Sequence, residues 1–188
     1  MTITTAVEKK VKFLATGIFA DFKISREDWD IHKLEDGTKI RSKVVLMTYM
    51  SDKSLEDAEL QIRDGKIPTL ETTFNFQTLM AIEAPIELRG KPDKATYNPK
   101  ELKPCIVAPH LNFETQFQAW NIYNLGYGHI LKLRLTPIDF SRTSKHDANG
   151  MPVYVFDSNV EAKLILSQEL QNLLDKIEKK KPPEATTT

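Results

Sequence analysis

The side chains able to do chemistry are few and scattered. His32, His110, His129 and His146 include no H-x-x-x-H pair, and a single Cys105 removes any internal disulfide and any Cys-based zinc site. Neither G-x-x-x-x-G-K-[ST] nor G-x-G-x-x-G occurs among the 7 glycines, so no run of backbone amides is laid out to cradle a phosphate. A G-x-S-x-G elbow and a Cys-plus-His signature are missing too. Cys105, between Pro104 and Ile106 in a strand-like run, reads as a small buried hydrophobe. The acid pairs Glu27/Asp28 and Glu35/Asp36 fall at a strand start and a turn, where carboxylates serve local backbone needs. The expectation is a chain that is not an enzyme and holds no cofactor and no metal. A hydrolase or small-ligand barrel whose site is drawn from dispersed residues is the third-ranked reading.

The basic residues are better ordered. Lys39, Arg41 and Lys43 alternate along one strand and point to one face, and Lys132 and Arg134 repeat the pattern later in the chain. Alternation of this kind marks the solvated outer side of a half-buried strand. It also fits a groove that follows a phosphate backbone, with Tyr49, His32, Tyr123 or Phe140 stacking on the bases of a single strand. Against the groove stands the charge balance of 26 Lys+Arg and 26 Asp+Glu, because phosphate contacts dominate nucleic-acid affinity.

The elements that carry these residues are read from an internal repeat. Trp29-Asp-Ile-His-Lys-Leu-Glu-Asp-Gly aligns without a gap on Trp120-Asn-Ile-Tyr-Asn-Leu-Gly-Tyr-Gly, an offset of 91 residues from Trp29 to Trp120. The same offset sets Phe22 on Phe113, Arg41 on Lys132, Lys43 on Arg134, Met47 on Ile138 and Tyr49 on Phe140. Further on, Asp64-Gly-Lys-Ile-Pro68 answers Asn149-Gly-Met-Pro152 and Asn75 answers Asn159 at an offset of 84, which leaves an insertion within Ser51–Arg63 of the first copy. Asp36-Gly37, Gly126-Tyr127-Gly128, Asp64-Gly65 and Asn149-Gly150 are hairpin signals. With opening strands at Val11–Phe19 and Cys105–Phe113, each half reads as about five strands. Trp29 and Trp120 are expected to be matched core anchors.

The fold class that follows is mostly β: two tandem duplicated small barrels or curled sheets with pseudo-twofold symmetry, then an amphipathic C-terminal α-helix. One barrel shared by the halves is the alternative. The first repeat covers 1–88, the connector 89–101, the second repeat 102–166, the helix 167–181 and a disordered tail 182–188. Ser54–Gln61 predicts two helical turns inside the insertion. Leu166, Leu170, Leu173, Leu174 and Ile177 line one face of the terminal helix, which needs a cover on this chain, on a second copy or on a protein partner. No stretch reaches the ~18 apolar residues of a membrane span and Met1–Lys10 has no apolar core, so the expected location is cytoplasmic. The leading functional expectation is a non-catalytic binding or assembly module in a larger protein complex. Single-stranded nucleic-acid binding is second.

Overall fold

The computed structural model describes residues 18–19, 21–51, 55–64, 66, 72–126, 128–168, 171–172 and 175–176. Among these residues ten strands run in chain order: β1 (Ile18–Phe19), β2 (Lys23–Arg26), β3 (Asp30–Leu34), β4 (Lys39–Ser51), β5 (Thr72–Glu83), β6 (Ile106–Ala108), β7 (Phe113–Phe117), β8 (Asn121–Gly126), β9 (His129–His146) and β10 (Pro152–Ile165). Helix α1 (Leu55–Arg63) lies in the expected insertion, and the short α2 (Pro99–Leu102) sits in the connector, opened by a capping box from Asn98 and Glu101. The β3–β4, β8–β9 and β9–β10 hairpins turn through Gly37, Gly126 and Gly150, all with positive φ, as the Gly-containing dipeptides predict.

Among the described residues the strands form two antiparallel sheets of five, neither closed into a barrel. In the first sheet β5 follows one edge of β4 for its whole length. β3 and β1 share the other edge, and β7 pairs with β3. In the second, β10 follows one edge of β9, β8 and β6 share the other, and β2 pairs with β8. The two connection schemes are the same, and each sheet borrows one strand from the other half of the chain: β7 joins the first sheet, β2 the second. That exchange replaces the expected pair of separate barrels.

The match extends to defects in the pairing. β4 skips Met47 against β5, and β9 skips Ile138 against β10, so both long strands carry a bulge at the same place. Register also corrects one correspondence. Thr48 pairs with Asn75 and its counterpart Asp139 pairs with Asp157, whereas Asn159 faces Thr136, the counterpart of Val45, whose partner is Gln77. The edge strands therefore match at an offset of 82 residues, Asn75 to Asp157, rather than 84.

Alternation decides what is buried. Ile40, Ser42, Val44 and Leu46 point inward from β4, and Leu131, Leu133 and Leu135 from β9, into one core shared by both sheets. The bulges then reverse the parity, so Tyr49 and Phe140 turn inward as well, at 1% and 0% exposure. Trp29 and Trp120 have the opposite fate: Trp29 is 37% exposed, Trp120 is half-buried, and neither belongs to the core. Tyr97, Leu102 and Val153 form a small second cluster where the connector packs on the start of β10. Leu166 is half-buried; Leu170, Leu173, Leu174 and Ile177 lie outside the described residues, as does the 182–188 tail.

Candidate functional site

The outer faces of β4 and β9 hold the basic residues, as alternation requires, and the fold surrounds most of them with carboxylates. Arg41 and Lys39 both reach Glu83 on β5, Lys43 pairs with Glu27 at 3.1 Å in a largely buried bridge, and Arg134 takes both oxygens of Glu161 at 2.7 and 2.8 Å. The Arg134 contacts hold the Glu161 carboxyl below its ordinary pKa, the side-chain hydrogen bond being the largest cause. Among the described residues Lys132 is the member of the set with no carboxylate in ion-pair reach.

The cations also cover the tryptophans. Lys43 Nζ sits 5.3 Å from the Trp29 ring centroid; Arg134 and Lys163 approach the Trp120 ring to 4.5 and 4.9 Å. The stacking residues expected on this face are elsewhere. Tyr49, Phe140, His32 and Tyr123 are buried in the interior, so none offers a ring to a base. Tyr123 donates to Glu27 and accepts from the Leu46 amide, and burial raises its pKa. His32 contacts Thr115 and Ser42 through its two ring nitrogens, and burial lowers its pKa to about 4.

The junction between the halves is reciprocal. Asp28 N donates to Asn121 Oδ1 at 2.9 Å, and Ala119 N donates to Asp30 Oδ1 at 2.8 Å, with Asp28 and Asp30 matching Ala119 and Asn121 at the 91-residue offset. Burial pushes the Asp30 carboxyl up to about 6, against the opposing pull of the Ala119 amide and Arg134.

A groove of about 450 Å³ runs between the end of β5, the connector and the start of β10. Three of its polar side chains are engaged within the fold. The Asp147 carboxylate accepts from the Asn149 and Met151 amides, Tyr97 donates to Asp93 and to the His146 carbonyl, and Tyr154 donates to Asp36. The remaining acids do similar work: Glu35 accepts from Asn112, and Asp36 caps the Thr38 amide and pairs with Arg142. Cys105 is half-buried in a turn before β6. No group of three metal-ligating side chains gathers among the described residues, and no helix there is long and apolar enough to cross a membrane.

Neither acidic partners nor outer-face apolar neighbours were predictable from alternation alone. Glu83 and Glu161 come to the basic strands through cross-strand register, as do Ile31 and Leu79, and Glu27 reaches Lys43 from the segment after β2. Phe117 pairs with Ile31 on the outer side of the first sheet and is 42% exposed. No protein-family model, curated protein or solved structure matches this chain.

Proposed function

We propose that the protein is a non-catalytic binding and assembly module, built from a duplicated β unit and serving as a structural component of a larger protein complex. The carrying observation is the outer side of the first sheet, where Trp29, Met47 and Phe117 stand exposed, while Asp147, Tyr97 and Tyr154 along the groove are engaged inside the fold. Support for the duplicated unit comes from the shared pairing scheme, the matched bulges and the reciprocal contacts of Asp30 and Asn121.

Binding to nucleic acid is disfavoured by the same geometry, because carboxylates neutralise Arg41, Lys43 and Arg134 and the aromatic rings lie inside. Two measurements on the full chain test the reading together. Affinity capture with this chain as bait, read by quantitative mass spectrometry, is expected to recover a stoichiometric protein component, either another protein or further copies of the chain. A salt titration with a single-stranded oligonucleotide is expected to show no binding at low salt. Tight oligonucleotide binding whose salt slope falls in Lys132→Ala, with no protein component recovered, overturns the proposal.

A further inference from the structure

We infer that the outer face of the second sheet holds a docking site for an acidic polypeptide segment of a partner protein, centred between Lys132 and Lys163; this rests on the assembly reading and names the chemistry of the partner. Register sets Lys132 of β9 directly opposite Lys163 of β10, and both side chains point outward because Leu131 and Leu133, on either side of Lys132, fill the core. Like charges opposed across two strands repel. Among the described residues neither ammonium has a carboxylate in ion-pair reach. Glu161, two residues from Lys163, gives both oxygens to Arg134, and Asp28 is held by Arg26. Trp120 lies beneath Lys163 at 4.9 Å and carries no net charge.

The first sheet shows what is missing, since the shared pairing scheme gives each of these positions a counterpart. There Glu83 reaches both Lys39 and Arg41, one carboxylate against two cations. The matched registers carry Lys39 to Ile130, Arg41 to Lys132, Ala81 to Lys163 and Glu83 to Ile165. On the same scaffold, the second sheet therefore keeps two cations and has isoleucine where the carboxylate stood. A carboxylate brought by a partner restores the arrangement that the first sheet completes by itself.

The residues around the lysine pair decide which class of anion fits. Ile130 and Ile165 form the next cross-strand pair, with Ile165 40% exposed, and Ile122 pairs with Lys132 on its other side. Cations flanked by apolar side chains match a polypeptide whose carboxylates alternate with apolar residues. A nucleic acid gains less from this face. Two lysines meet few phosphates, and the Trp120 ring is already engaged by Arg134 and Lys163.

Fluorescence anisotropy with the full chain at low ionic strength tests this, using a labelled octapeptide that alternates glutamate with leucine. The wild type is expected to bind it with an affinity that falls as salt rises. The variant Lys163→Ala/Ile165→Glu gives the second sheet the residues of the first, and is expected to bind at least tenfold more weakly with an unchanged circular dichroism spectrum. If that spectrum changes, Lys163→Ala alone replaces it, with the same tenfold weakening expected. Lys103→Ala/Val107→Glu makes an equal charge change at exposed positions elsewhere and is expected to leave binding unchanged. A wild type that does not bind the peptide overturns the inference, as does weakening that is absent from the first variant or equal in the control. Those results leave the assembly reading to the capture experiment. Tighter binding of a single-stranded oligonucleotide of equal charge counts against both.

Discussion

Asp30 and Asn121 occupy the same place in the two halves and accept the same kind of amide hydrogen bond, yet one is ionisable and the other is not. With its pKa raised from 3.8 to about 6, Asp30 binds more protons in the folded than in the unfolded chain between those values. Its effect is therefore to lower stability as pH rises from about 4 to about 6, and the loss persists above that range. Asn at position 30 keeps the acceptor and removes the buried charge. Thermal or urea unfolding of Asp30→Asn is expected to show a gain of about 1–3 kcal/mol at pH 8, shrinking as pH falls toward 4. His32 acts in the opposite sense: its pKa drops from 6.5 to about 4, so the stability it supports is present above pH 6.5 and is lost as pH falls through about 4. At this scale the sequence was informative about alternation and misleading about aromatics. Size and apolarity suggested Trp29 and Trp120 as core residues, but both stand on the outward register under cations, and Tyr49 and Phe140 turned inward because one bulge in each strand reversed the count.

Hairpins and helix α1 were legible because their signals are local: Asp36-Gly37, Asn149-Gly150 and the Ser54–Gln61 cap-and-helix pattern each act over a few residues. The turn at Gly150 also does a non-local job. With φ at +77°, an added Cβ would come within 2.5 Å of the Gly90 carbonyl oxygen, and the Gly90 amide donates to the Gly150 carbonyl at 3.0 Å. Connector and β9–β10 hairpin thus lock together through two glycine backbones in close approach. Gly126 has φ +89° but open space around its Cβ position among the described residues. Gly126→Ala is expected to cost about 1–2 kcal/mol from the left-handed backbone, and Gly150→Ala at least about twice as much, as measured by the shift in denaturation midpoint.

For the molecule as a whole, the strand exchange couples the halves. β2 completes the second sheet and β7 the first, and the core draws residues from both, so each half contributes a strand and core side chains to the other's sheet. Differential scanning calorimetry is expected to show one transition with calorimetric and van't Hoff enthalpies in agreement. Two separated transitions contradict the coupling. Two-barrel architecture was a natural reading of the repeat because sequence reveals where strands start and turn, while which half a short strand joins is settled by contacts some 90 residues away.

Those long-range partners impose an order on synthesis. While the ribosome has delivered only the first half, β3 lacks its neighbour Phe113–Phe117 and β2 has no β8 to lie against. The nascent chain must wait with a strand edge and an uncovered apolar interior until residues beyond 126 have emerged, a window in which a chaperone, or a neighbouring nascent chain, competes for the vacant seats.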